Sequence, residues 1–64
     1  MNAKIKVVYQ LTNETDGLIS YVTEYHDKFI VSLKDIDADR MLPTSKQYDS
    51  LSKAKEYALQ IVGE

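Results

Sequence analysis

The chain contains no cysteine, one proline, two glycines and one histidine among its 64 residues. Without cysteine it can form neither a disulfide nor a zinc site with thiolate ligands. No apolar run is longer than three residues, so no segment is predicted to cross a membrane. The first residues lack the apolar stretch of a secretory signal. Together these absences favour a cytoplasmic location.

The residues that are present have the composition of an ordered domain, with 44% hydrophobic and 28% charged residues and a net charge of −2. That apolar fraction is too high for a disordered chain. The length allows one core, so residues 1–64 are predicted to form a single domain. Ordering them costs on the order of 100 kcal/mol, which a core of this size only just offsets.

Three segments alternate apolar and polar residues with the period of two that is typical of half-buried strands. They are residues 3–12, 18–25 and 28–34, joined by a five-residue loop at 13–17 and a three-residue turn at 26–28. Directly opposed residues of antiparallel strands share a face. With Leu11 opposite Ile19 and Tyr25 opposite Phe29, one face consists mostly of large apolar residues and is expected to be covered. Its residues are Ile5, Val7, Tyr9, Leu11, Ile19, Tyr21, Thr23, Tyr25, Phe29, Val31 and Leu33.

A fourth strand and one helix are predicted in the second half. Residues 41–48 suit a short edge strand, because Pro43 has no amide hydrogen to donate. Ser50 is a good helix N-cap, and Gly63 is well placed to end the helix. An apolar stripe between them marks the buried helix face: Leu51, Ala54, Ala58 and Ile61. The predicted fold is α+β, a three- or four-stranded antiparallel meander with one C-terminal helix packed on one face.

The other side of this predicted sheet carries a candidate interface. Val8, Val22 and Ile30 lie close together across three strands, and clustered exposed apolar groups mark contact surfaces. The lysines predicted to rim the patch are Lys6, Lys28 and Lys34. A second interpretation stays open, because β-branched residues suit strands on either face and lysines on a solvated face discourage aggregation.

No catalytic or metal-binding constellation is found in the sequence, so neither an enzyme nor a cofactor is expected. The alternating aspartates of residues 35–39 begin like a calcium loop, but Arg40 and Lys46 stand where such a loop needs Gly and Glu. His26 is the only histidine and is predicted to lie exposed in a turn. A single histidine is a poor metal site, and in a turn it is not placed to activate a nucleophile.

The five tyrosines bear on nucleic-acid binding, because tyrosines on an open sheet can stack on bases. The predicted register places Tyr9, Tyr21 and Tyr25 under the helix, so packing in and around the core is their predicted role.

A set of residues around the helix start suggests a family likeness: Tyr48, Ser50, Lys53, Ala54, Tyr57 and Ala58. In these residues the segment 29–61, half of the chain, resembles the arm-site DNA-binding domains of phage-type tyrosine integrases. It is also similar to small strand–strand–strand–helix proteins of Gram-positive bacteria and their phages. The integrase likeness implies DNA binding through the sheet. That family's sheet is rich in arginine and lysine, whereas Arg40 is the only arginine here.

The function predicted from the sequence is that of a small non-enzymatic protein-interaction module of a bacterium or phage. It binds a protein partner or a second copy of itself through the open sheet face or a strand edge. Weak nucleic-acid binding through the lysines is the alternative, and an isoelectric point near 5.2 argues against it.

Overall fold

The computed structural model describes residues 6–63, which form one antiparallel sheet and one helix. The elements in chain order are β1 (Lys6–Asn13), β2 (Leu18–Tyr25), β3 (Lys28–Asp35), β4 (Arg40–Tyr48) and α1 (Leu51–Val62). Each strand pairs with its neighbour in sequence, and α1 lies mainly over β1, β2 and β3. The predicted α+β meander and its fourth strand are therefore confirmed. The predicted strand residues 3–5 lie outside the described residues.

The core between the sheet and α1 is built from small side chains. Val22, Val31, Ala54, Ala58 and Val62 have no exposed surface. Because two alanines face the sheet, the helix can lie close to it, and only small side chains fit directly beneath. Partly buried apolar residues line the margin of this core: Val8, Tyr9, Leu11, Phe29, Tyr48, Leu51, Tyr57 and Ile61.

Both predicted ends of α1 are found in the structure. Ser50 is the N-cap residue in extended conformation; its hydroxyl makes no capping hydrogen bond, and its carbonyl accepts the first helical hydrogen bond from the Ala54 N–H at 3.1 Å. Gly63 ends the helix with φ of 83°, a left-handed conformation that glycine adopts without strain. Val62, which is not part of the predicted apolar stripe, is fully buried, whereas Ile61 of that stripe is half-buried.

Two buried side-chain hydrogen bonds join α1 to the sheet. The Ser20 hydroxyl donates to the Ala58 carbonyl at 3.1 Å. The Asn13 amide donates to the Val62 carbonyl at 2.7 Å. Both residues are buried, with exposed fractions of 0% and 7%, so the bonds satisfy groups that would otherwise be costly to bury.

The face predicted for β2 is wrong by one residue. The prediction placed Tyr25 opposite Phe29, whereas in the structure Glu24 lies opposite Phe29 and Val22 opposite Val31. A shift of one residue moves every side chain of a strand to the other face. The residues predicted to face the helix lie on the opposite side of the sheet: Ile19, Tyr21, Thr23 and Tyr25. The residues on the helix side are Leu18, Ser20, Val22 and Glu24.

The cause of this error is the turn between β2 and β3. Only His26 and Asp27 form it, with φ of 51° and 64°, and Lys28 is already the first residue of β3. Two-residue turns with both φ values positive match the twist of antiparallel strands. His26 is exposed in this turn, as predicted.

The loop between β1 and β2 is also shorter than predicted. Asn13 pairs with Leu18, so four residues, 14–17, connect the strands. Near the start of β1, Val7 and Tyr9 occupy consecutive positions in the pairing with β2, and Val8 is the extra residue of a β-bulge. The bulge places Val7 on the side away from the helix, contrary to the prediction.

The edge strand β4 is interrupted as well. Ser32 pairs with Ser45 and Lys34 with Met41, so three residues of β4, 42–44, stand opposite one residue of β3. Pro43 lies within this irregularity. Its missing amide hydrogen is tolerated there, because proline in a sheet is confined to edges and bulges.

Candidate interface on the uncovered side of the sheet

The side of the sheet opposite α1 is a continuous surface formed by all four strands, called here the open face. The pairing of the strands assigns to it Val7, Gln10, Thr12, Ile19, Tyr21, Thr23, Tyr25, Lys28, Ile30, Ser32, Lys34, Met41, Ser45 and Gln47. None of these strand positions carries a carboxylate. Within residues 6–63, no strand or helix packs on this surface.

The centre of the open face is formed by β2 and β3. Tyr21 lies opposite Ser32, and Thr23 lies opposite Ile30, with the Thr23 hydroxyl donating to the Ile30 carbonyl at 3.3 Å. Ile19 and the other central side chains are half-buried, because they cover one another rather than being covered by another layer. The centre is therefore an apolar and hydroxyl-bearing surface.

Two ion pairs compensate the lysines of the open face. Lys28 donates to the carboxylate of Asp49, and Lys34 bonds to the carboxylate of Asp39 at 3.1 Å. The hydrogen bond from Lys28 and its positive charge lower the pKa of Asp49, and the hydrogen bond to Asp39 raises the pKa of Lys34. The nearby phenol of Tyr21 adds to the second shift. Both lysines thus have a carboxylate partner within the chain.

The structure separates the residues predicted to form one patch. Ile30, Lys28 and Lys34 lie on the open face, as predicted. Val22, predicted as the central anchor, has no exposed surface and packs under α1, so its predicted exposure is wrong. Lys6 pairs with Glu24 on the helix side, and Val8 packs against the margin of the core.

The residues that sequence reasoning missed are the large side chains of β2, namely Ile19, Tyr21 and Tyr25. Both faces of β2 carry apolar residues, so alternation alone does not decide which one is buried. A signal was present in the helix, whose buried stripe contains Ala54 and Ala58. A helix with alanines toward a sheet approaches it closely and excludes tyrosine rings from the space beneath.

A second surface feature lies on the other side of the sheet, beside α1. It is a shallow cavity of about 250 Å³, lined by Tyr48, Lys53, Glu56, Tyr57 and Gln60. The rings of Tyr48 and Tyr57 are 5.8 Å apart, and the Lys46 ammonium lies 5.3 Å from the Tyr57 ring. Ligand and substrate sites commonly occupy about 300–1,000 Å³, so this volume is small for one.

The acidic residues of the β3–β4 connection make separate contacts. The Asp35 carboxylate accepts the Ala38 N–H at 3.2 Å, Asp39 bonds Lys34, and the Asp37 carboxylate lies against Gly17. In residues 6–63 no three acidic or histidine side chains converge in a way that could hold a metal ion.

Comparison of the chain with protein-family models, curated proteins and solved structures finds no match. The resemblance to integrase arm-site domains thus depends only on the residues quoted for it above. In the part of the chain that the structure describes, no helix has the length and apolar character needed to cross a membrane.

Proposed function

We propose that the chain is a non-catalytic binding module that contacts another protein surface through the open face. The observation that carries this proposal is the contrast between the two sides of the sheet. α1 covers one side, whereas within residues 6–63 no strand or helix packs on the half-buried Ile19, Tyr21 and Ile30 of the other. Removal of such apolar surface from water by a partner is favourable and stabilises the complex.

The open face is favoured over a strand edge as the contact surface. An added strand needs a regular ladder of free backbone groups along the edge. The β1 edge is interrupted by the bulge at Val8, and the β4 edge is interrupted at residues 42–44, which include Pro43. Bulges and proline at sheet edges hinder pairing with another chain.

Nucleic acid is the second candidate partner, and one observation favours it. Tyr21 and Tyr25 lie on the open face, and tyrosines on an uncovered sheet can stack on unpaired bases. The charges argue against this partner, because Lys28 and Lys34 are already bonded to aspartates and the chain carries a net charge of −2. Binding to phosphates depends on uncompensated positive charge. A protein surface is therefore the preferred partner.

Photo-crosslinking tests the proposal. A photoreactive phenylalanine analogue replaces Tyr21 on the open face or, as the matched control, Leu59, which is 44% exposed on α1. In cells that express the chain, we expect defined protein adducts from position 21 and none of them from position 59. Equal adducts from both positions would contradict the proposal. Adducts that nuclease treatment removes would favour the nucleic-acid alternative.

The cytoplasmic location stays a prediction.

A further inference from the structure

We infer that the surface that binds the open face is the open face of a second copy of this chain. Two sheets then pack face to face, and the α1 helices lie on the outside of the dimer. This inference rests on the proposed function, since it names the partner of the same surface.

The charges of the open face suit a contact between identical surfaces. Its two lysines are bonded to Asp49 and Asp39 of their own chain, and the side chains of both aspartates are 84% exposed. Lys28 is the first residue of β3 and Lys34 its last but one, so the two ion pairs lie near opposite ends of the face and away from its centre. Two surfaces without excess charge of either sign do not repel each other, and two copies of the open face meet this condition.

The size of the open face is sufficient for a reversible dimer. β2 and β3 have eight residues each, which span about 26 Å at about 3.3 Å per residue. Four strands that each occupy a width of about 4.8 Å extend over about 19 Å, so the face has a projected area of about 500 Å². Two copies bury about 1,000 Å² together, at the lower limit for a specific interface.

The internal packing of the molecule provides a reason for this contact. The shortest dimension is 17 Å, and the largest fully buried side chains are valines. Ile19, Tyr21 and Ile30 are larger than these valines and lie on the open face. Packing two sheets about 10 Å apart would bury them in a second core. Small domains commonly gain stability by oligomerisation.

Molar mass in solution tests the inference, by sedimentation equilibrium over a concentration series up to about 1 mM. Three proteins are compared: the wild type, Ile30→Lys on the open face, and Leu59→Lys on α1. We expect the wild type and Leu59→Lys to approach twice 7.3 kDa with rising concentration. Ile30→Lys should stay at 7.3 kDa, because the two-fold contact buries two unpaired charges and raises the dissociation constant at least about 100-fold.

Two results would overturn the inference: a wild type that stays at 7.3 kDa throughout, or an Ile30→Lys variant that dimerises like the wild type. Circular dichroism establishes that each variant is folded. Should Ile30→Lys unfold, Ser32→Lys takes its place, because Ser32 is half-buried at the centre of the same face. A monomeric wild type that still gives protein adducts from position 21 would show that the partner is not a second copy of this chain, and it would leave the proposed function intact.

Discussion

At the scale of single residues, Asn13 connects the end of β1 to the end of α1. Its side-chain amide nitrogen donates to the Val62 carbonyl at 2.7 Å and to the Asp16 carboxylate at 3.1 Å. Its side-chain oxygen Oδ1 accepts the Asp16 backbone N–H at 3.1 Å. The sequence predicts this asparagine only as the first residue of the loop at 13–17. Nothing in its local pattern indicates that residue 62 lies beside residue 13, so its structural role could not be predicted.

Asn13→Ala should lower the free energy of unfolding by about 1–3 kcal/mol, because the buried Val62 carbonyl loses its donor and the loop loses its turn bond. Urea denaturation measures the change. Gln47→Ala, which truncates an exposed amide on β4, is the control and should change the free energy by less than about 0.5 kcal/mol. Equal losses in the two variants would contradict the assigned role.

Val22 and Ile30 provide a residue-scale test of the strand register. The sequence predicts them as anchors of one patch, whereas the structure places them on opposite faces. Val22→Lys should abolish folding, since an unpaired buried charge costs several kcal/mol and a domain of this size has about 3–5 kcal/mol of stability. Ile30→Lys should retain the native circular dichroism spectrum. A folded Val22→Lys protein would mean that β2 has the other register.

At the scale of elements, the sequence predicts which strands and which helix form, but not how every strand is rotated. The predicted face of β3 is correct, because Phe29, Val31 and the buried Leu33 occupy alternate positions and Ile30 is the one apolar residue on the other face of this strand. β2 has apolar residues on both faces, and the choice between them depends on the length of the turn. That length is decided by whether His26 and Asp27 accept positive φ, which their residue types permit without requiring it.

The β2–β3 turn yields the next prediction. Replacing His26 by Asn and Asp27 by Gly should raise the free energy of unfolding by about 0.5–1 kcal/mol, because these residues adopt positive φ more readily. Thermal and urea denaturation measure the gain. Inserting one glycine after Asp27, which creates a three-residue turn, should be destabilising instead. The opposite order of the two stabilities would indicate the three-residue register.

The ion pair between Lys28 and Asp49 links the start of β3 to the segment before α1. The hydrogen bond from Lys28 lowers the pKa of Asp49 below its ordinary value of 3.8. A group whose pKa is lower in the folded state adds stability above its unfolded pKa, and this stability is lost as pH falls through the folded value. Asp49→Asn should thus lower the melting temperature slightly at neutral pH and leave it unchanged well below pH 3.8.

Melting curves at low salt across this pH range measure the effect. Glu56→Gln is a suitable control, since Glu56 is an exposed carboxylate on α1 that makes no ion pair within residues 6–63. Its melting temperature should follow that of the wild type at every pH. A difference between Asp49→Asn and wild type that persists at the acidic end would show that the asparagine acts by something other than charge.

At the scale of the whole molecule, the composition of the candidate site depends on which face of β2 is exposed. The sequence predicts a sheet with one free face, and within residues 6–63 that prediction is confirmed by the structure. The residues of the free face could not be predicted beyond those of β3. A shift of one residue in β2 exchanges its exposed side chains for its buried ones, and the sequence does not decide between the two. The tyrosines and isoleucine that replace Val22 on that face make it more apolar than the sequence suggested.

If two copies associate through the open face, association and folding are thermodynamically linked. The dimer then withdraws folded monomers from the folding equilibrium, so the melting temperature should rise with protein concentration. For a domain of 60–100 residues, each kcal/mol of added stability raises the melting temperature by about 4–8 °C. Scanning calorimetry from about 10 μM to about 1 mM should show this rise for the wild type and for Leu59→Lys.

Ile30→Lys should melt at one temperature over the same range, because its open face no longer associates. A concentration-independent wild type would show that the folded chain is stable without a second layer. A rise that persists in Ile30→Lys would instead place the contact between copies elsewhere, on the cavity beside Tyr48 and Tyr57 or along a strand edge. Since both edges are interrupted, that outcome would direct attention first to the helix side of the molecule.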